Sequence, residues 1–174
     1  MLDTAIVITG APGAGKSATI EALSDLLSDA GIEHGALEIE QLAWGHPWLA
    51  LVDTLPQLQS LLAAQRHGGR RLHLIAATTE TAAELDALMR AIDADQALVV
   101  ALEARSETVA ARVLNREPEH WAGRARLAAK ARELAATIPA LPNVDVVIST
   151  ESEAPLEVAC HLRRELDARG LLTP

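Results

Sequence analysis

The chain has 174 residues, a single-domain length that can bury roughly 70% of its unfolded surface, and its three Trp with no Phe or Tyr call for an aliphatic core. A net charge of −9 provides no global basic field to recruit a nucleic acid polymer or an anionic membrane. Cys160 stands alone, which excludes an intrachain disulfide, and no Cys/His spacing suggests zinc; no apolar run approaches the ~18–20 residues of a membrane span.

Met1-Leu2-Asp3 leads directly into a first strand, Ala5-Ile-Val-Ile-Thr9, without a leader-like segment, so a cytoplasmic protein is expected. The strand runs into Gly10-Ala11-Pro12-Gly13-Ala14-Gly15-Lys16-Ser17, a complete GxxxxGK[ST] phosphate loop. Its glycines let backbone N–H groups curl around an anion, Lys16 supplies a point charge for the β/γ-phosphates, and the Ser17 hydroxyl suits Mg²⁺. Ala18 continues the loop into a helix over 16–30, apolar at helical spacing and stopped by Gly31. A chance match is improbable in a chain with two lysines against thirteen arginines.

The second strand is expected at Gly35–Ile39, ending at Glu40, and the next helix from Pro47 to about His67, broken by Gly68-Gly69. A third strand spans Leu72–Ala77, and Thr81-x-x-Glu84 matches a capping box before the following helix. The fourth strand spans Gln96–Leu102, and Ser106 is expected to cap a helix ending at Arg116, before Pro118. Residues 117–123 read as a loop, 124–138 as a helix, Val144–Ile148 as strand five, and Pro155–Arg169 as the last helix. Strands separated by helices of this length imply right-handed parallel βαβ units. The expected architecture is a three-layer α/β/α sandwich around a five-stranded parallel sheet, with ligands outside the carboxyl ends of the strands.

The phosphate loop, the acid after strand two and the run Val99-Val-Ala-Leu-Glu-Ala-Arg-Ser-Glu-Thr-Val-Ala-Ala-Arg112-Val-Leu-Asn-Arg116-Glu117 resemble the small P-loop kinases of the nucleoside/nucleotide kinase-like superfamily, which includes shikimate, gluconate and adenylylsulfate kinases and chloramphenicol phosphotransferase. The resemblance runs from Ile6 to about Leu166 and implies one P-loop kinase-like domain over 1–174, with a small helical lid near 112–126. It implies ATP and Mg²⁺ as cofactors and γ-phosphoryl transfer to a small-molecule or nucleotide acceptor. It also implies that Arg112 stacks near adenine while Arg116 reaches the transferring phosphate. The other reading is a regulatory or partner-activated ATPase module with slow hydrolysis. A guanine-specific switch lacks its Asn-Lys-x-Asp motif, and no strand ends in the Asp-Glu pair of hydrolytic motors.

The residues support these roles on their own chemistry. Arg112 and Arg116 lie four apart, on one helix face, and planar guanidiniums suit a loose phosphoryl-transfer transition state. Glu38 and Glu40, two apart on a strand, are expected on one face of the sheet, to orient or deprotonate an acceptor hydroxyl or hold Mg²⁺ through water; a charged strand end facing solvent is the alternative. Glu stands where the related kinases usually have Asp. Glu80 is a further candidate for the metal's outer shell, and Arg124 and Arg126 for the lid. Trp44 and Trp48 offer a flat wall for a planar acceptor with His46 as a polar handle, or else a staple holding the helix to the core. Arg66, Arg70 and Arg71 are the cations available for a nucleotide acceptor.

Overall fold

The computed structural model describes residues 2–172. In chain order the elements are β1 (Thr4–Gly10), α1 (Lys16–Asp29), β2 (Gly35–Glu38), α2 (Ile39–Ala43), α3 (Leu51–His67), β3 (Leu72–Ala77), α4 (Ala82–Ile92), β4 (Gln96–Glu103), α5 (Ser106–Arg116), α6 (Arg124–Thr137), β5 (Val146–Ser149) and α7 (Pro155–Ala168). All strand pairings are parallel, and the strand order is β2-β3-β1-β4-β5. The expected three-layer sandwich is therefore the observed one.

β1 and β3 are buried along their whole lengths, which is why both read as continuous apolar runs. Alternate β1 residues serve opposite layers. Ile6 and Ile8 pack with α1, α5, α6 and α7, while Ala5 and Val7 pack with Leu58 and Leu62 of α3 and Leu85 and Leu88 of α4. The core is aliphatic, and all three tryptophans are exposed.

Several boundaries differ from expectation. β2 ends at Glu38, and the chain turns into the short helix α2 at Ile39, whose side chain is buried against α3 and β3. Glu40 therefore lies on a helix, not two along a strand from Glu38. α3 begins at Leu51 rather than Pro47, because residues 43–49 first close a loop in which the Leu49 N–H donates to the Ala43 carbonyl at 3.2 Å. Thr81 caps α4 as expected, accepting the Glu84 N–H at 3.2 Å, but the Glu84 carboxylate reaches one residue further back, to the Glu80 N–H at 2.6 Å. Ser106 does not cap α5; it is the first helical residue, and Glu151 from the distant β5–α7 turn accepts the Arg105 N–H at 2.9 Å instead. β5 starts two residues late, since the Asp145 carboxylate takes the Val99 N–H at 2.8 Å that a strand partner would have used.

At the amino end of the sheet His73, fully buried on β3, meets Asp3 (Nε2 to Oδ1, 3.1 Å), and Asp3 accepts from Arg66 Nε at 2.7 Å. Burial pulls the imidazole below its ordinary 6.5, against the raising effect of Asp3. A histidine that protonates less readily folded than unfolded contributes stability above its unfolded pKa and loses it as pH falls through the mid-6 range. The denaturant midpoint is expected to drop between pH 7.5 and 5.5, with a shallower slope in His73→Gln; an unchanged slope would exclude this group as the cause.

Candidate functional site

Two glycines, Gly13 and Gly15, shape the loop between β1 and α1. Gly13 and Gly15 adopt φ of +84° and +99°, in the left-handed region where a side chain is strained. A Cβ on Gly13 would fall 2.4 Å from the Val109 carbonyl oxygen, so the loop lies directly on α5. Gly15 has open space beside it. It stands at the start of α1, where no side chain caps the helix and no acid occupies the first turn. An uncapped helix start behind a glycine loop is chemically suited to a phosphate anion. Ala11 and Ala14 are buried anchors, Pro12 is half-buried at the turn, and Ala18 lies half-buried in the first turn of α1.

The Lys16 amine is folded back into this loop, donating to the Gly10 carbonyl at 3.0 Å and more weakly to Ala11 at 3.4 Å. Burial holds its pKa below the ordinary lysine value of 10.5, and Arg116 pushes the same way; Glu40 and Glu38 oppose them. Glu40 Oε1 stands 3.9 Å from the amine.

Although they do not share a strand, Glu38 and Glu40 both reach the phosphate loop. The Ser17 hydroxyl donates to Glu38 Oε2 at 2.9 Å. Glu40 Oε1 accepts both the N–H and the hydroxyl of Thr78, at 2.8 and 2.6 Å. Next to it, the Thr9 and Thr79 hydroxyls pair at 2.8 Å, and the Thr79 N–H donates to Thr9 Oγ1. The threonines at the end of β3, where a hydrolytic motor would carry acids, thus lock β1, β3 and α2 together under Lys16.

On the opposite side, Arg112 donates to the Thr150 carbonyl at 2.6 Å and its hydroxyl at 3.1 Å, with a longer approach to Gly13 O. Thr150, buried after β5, passes its hydroxyl to Ala14 O at 3.0 Å. Arg112 is in this way tied to the phosphate loop through a residue to which sequence reading assigned no role. Glu151, held down to about 2 by the Arg105 N–H first and by Thr108 and the Arg105 side chain, pins the same turn to α5. The signal that could have found the pair is their position after strand five, at the sheet's carboxyl edge.

The remaining candidates are scattered. Arg116 is exposed at the end of α5 and donates to Glu117 at 2.8 Å, near enough to Lys16 to act on its charge. Arg124 turns away, donating from Nε to the Leu114 carbonyl at 3.0 Å, which fastens α6 to α5. Arg126 lines a small groove of about 230 Å³ with Trp121 and Lys130. Glu80 pairs with Lys130 at 2.8 Å, an ion pair that links the connection between β3 and α4 to α6 and commits the carboxylate there. Arg66 is the clearest correction: it bonds Asp3 and the Ile92 carbonyl at the amino end of the sheet, and Arg70 and Arg71 immediately precede β3 at that same end. They cannot meet an acceptor beside the phosphate loop, because the parallel strands carry β3's start to the opposite edge. Trp44 and Trp48 are exposed, so the staple is excluded.

A cleft of about 460 Å³ opens beside Ser17 and Glu38, running between α1 and the β2–α2 segment and lined further by Glu21, Asp25, Gln41 and Leu42. Its volume suits a small molecule. Among the described residues no three His, Cys, Asp or Glu side chains form a ready-made metal cage, so a divalent ion would depend on Ser17, the nearby carboxylate and phosphate oxygens. No described helix is long and apolar enough to cross a membrane.

No family model and no curated protein sequence matches the chain. Solved structures do. The APS kinase of Mycobacterium tuberculosis in complex with AMPPNP and APS is similar at a TM-score of 0.70, with 18% identity over 95% of this chain and 98% of that one. A gluconokinase from Sinorhizobium meliloti 1021 is similar at 0.64, with 17% identity and 99% of both chains covered. Shikimate kinase from Acinetobacter baumannii in complex with shikimate is similar at 0.61, with 18% identity over 95% and 93%. The fold is that of the small P-loop kinases.

Proposed function

We propose that the protein is an ATP- and Mg²⁺-dependent phosphotransferase that moves the γ-phosphoryl group to a small acceptor. The observation that carries this reading is the convergence of two acids on one phosphate loop: Glu38 on Ser17 and Glu40 beside Lys16. Loop amides and the start of α1 would hold the donor phosphates, and the Lys16 amine would turn from the Gly10 carbonyl to the β/γ oxygens. Ser17 and Glu38 would hold Mg²⁺, which supplies charge neutralisation between the phosphates when bound. Arg112, braced by Thr150, would stack on a base at the donor end.

Glu40 is fixed on one oxygen by Thr78, which leaves Oε2 to orient an acceptor hydroxyl and take its proton. The 117–123 connection and its flanking helix ends, about 112–126, would act as the lid. Closing it exchanges the exposed Arg116–Glu117 pair for a phosphate contact, a cheap exchange because such surface pairs are worth little. Exclusion of water by that closure would limit futile hydrolysis.

The testing experiment measures ADP release with and without a panel of acceptors; a many-fold acceleration with phosphate gained by the acceptor supports the kinase. ADP release indifferent to every acceptor would instead favour a slowly hydrolysing regulatory module. Arg116→Ala is expected to lower turnover by about 100-fold or more with ATP affinity within about threefold, as for an arginine that acts on transition-state charge. Unchanged turnover would remove Arg116 from the mechanism.

A further inference from the structure

Thr150 touches three parts of the fold at once: the phosphate loop, α5 and the end of β4. It is 4% exposed. Its N–H donates to the Glu103 carbonyl at 2.8 Å. Its hydroxyl accepts from Arg112 Nη1 at 3.1 Å, since a guanidinium can only donate. The single hydroxyl proton then faces two carbonyls, Ala14 at 3.0 Å and Glu103 at 3.2 Å. Ala14 is the nearer, and Glu103 already accepts the N–H of Thr150 itself.

The direction of the Ala14 carbonyl decides the direction of the next N–H. The peptide group between Ala14 and Gly15 is planar and trans, so its C=O and N–H point opposite ways. With the carbonyl drawn out to Thr150, the Gly15 N–H is turned away from the β5–α7 turn. Arg112 acts on the neighbouring carbonyl, reaching Gly13 O from Nη1 at 3.4 Å. The Gly10 and Ala11 carbonyls are held differently, by the Lys16 amine, which would leave them for a triphosphate. The hold of Thr150 on Ala14 comes from outside the loop and does not depend on that amine.

The turn that carries Thr150 is itself anchored. Glu151 accepts the Thr108 hydroxyl at 2.7 Å, and the Thr150 carbonyl takes Arg112 Nη2 at 2.6 Å, one helical turn further along α5. The loop lies directly on α5 at Gly13, so loop, helix and turn brace one another.

We propose that Thr150 is a positioning residue for the donor phosphates. Its hydroxyl holds the Ala14 carbonyl outward, which presents the Gly15 N–H to the anion, and it seats Arg112 against the same loop. It acts through Ala14 and Arg112, without touching the nucleotide. This rests on the nucleotide binding of the kinase reading, and adds to it a residue outside the phosphate-loop motif that sets the loop's affinity. A hydroxyl can accept from the guanidinium while donating to a carbonyl; a valine of similar shape does neither.

The test compares the wild type, Thr150→Val and Thr150→Ser as full chains, with MgATP and magnesium tripolyphosphate as probes in calorimetry and a melting temperature for each protein. Thr150→Val is expected to weaken both probes by about tenfold, as for one lost buried hydrogen bond, with Thr150→Ser within about twofold of the wild type. KM for ATP should rise in the same proportion with kcat nearly unchanged. In NMR of the wild type, a reading that needs no variant to fold, the Gly15 amide proton should move downfield when tripolyphosphate is added. A lower melting temperature in Thr150→Val with unchanged affinities, failure of serine to keep the binding, or an unmoved Gly15 amide would overturn the role. So would a loss for MgATP that tripolyphosphate does not share, which would leave Thr150 acting on the base alone. If both probes bind as expected and no acceptor ever gains phosphate, the kinase reading fails while the role of Thr150 stands. A wild type that binds neither probe overturns both.

Discussion

Lys16→Ala is expected to abolish turnover, by on the order of a thousandfold or more, and to do so without unfolding the protein. The catalytic loss follows from position: this amine is the loop's only side-chain cation, buried against the Gly10 and Ala11 carbonyls. The tolerance of the fold follows from its pKa. Burial lowers that value, so the folded protein holds the amine's proton less firmly than the unfolded chain does. In the interval between the lowered pKa and the ordinary 10.5 the unfolded state carries more proton, so stability rises with pH there, and at neutral pH the charged amine opposes folding. Removing it relieves that cost, which offsets the loss of two hydrogen bonds, and the melting temperature should move by only a few degrees.

The same shift predicts proton linkage. Triphosphate oxygens beside the amine raise its pKa again, so ATP binding at alkaline pH should be accompanied by net proton uptake in the wild type. Calorimetry at pH 9 in two buffers of different ionisation enthalpy reads this directly. Equal apparent enthalpies for the wild type in the two buffers would refute the linkage, and so would uptake that persists in Lys16→Ala.

The second large effect is expected at Glu40. Glu40→Gln should reduce kcat by about 100- to 10,000-fold, the range for loss of a positioned general base, with a much smaller change in ATP affinity. Its Oε1 is already satisfied by the Thr78 N–H and hydroxyl, and an amide oxygen can keep both bonds. The substitution therefore removes charge and basicity more than shape. Thr78→Val gives a graded version: the hydroxyl is lost, the N–H remains, and kcat should fall about tenfold while KM for ATP holds, with Thr78→Ser restoring it. A fall in ATP affinity as large as the fall in kcat would reassign the pair to holding the nucleotide.

Some of this site could be read directly from residues. The phosphate loop is contiguous, so its glycines, Lys16 and Ser17 announce their chemistry by spacing alone. Arg112 and Arg116 could be placed on one face because helical spacing is a local property. The structure brings Glu38 and Glu40 to the loop by a geometry other than the shared strand face their spacing predicts. A strand was expected through Glu40, but burial of Ile39 against α3 and β3 turns the chain into α2, and Thr78 then draws Glu40 in from 38 residues away. Pairings of that kind leave no periodic trace. The same holds for Thr150 and Ala14, 136 apart, and for Glu151 replacing Ser106 as the cap of α5.

By itself the sequence determined what depends on neighbours along the chain: the order of the strands and of the long helices between them, the phosphate loop, the aliphatic core and a surface poor in positive charge. Backbone preference and hydrophobic period act over a few residues, so they are legible there. Only the tertiary structure decided which end of the sheet each side chain occupies. It sent Arg66 to the amino edge with Asp3, seated Arg112 on Thr150, exposed the tryptophans and opened an acidic cleft at Ser17. Those outcomes arise from contacts between distant segments competing for the same buried space and hydrogen-bond partners, and that competition is resolved only when the sheet has closed.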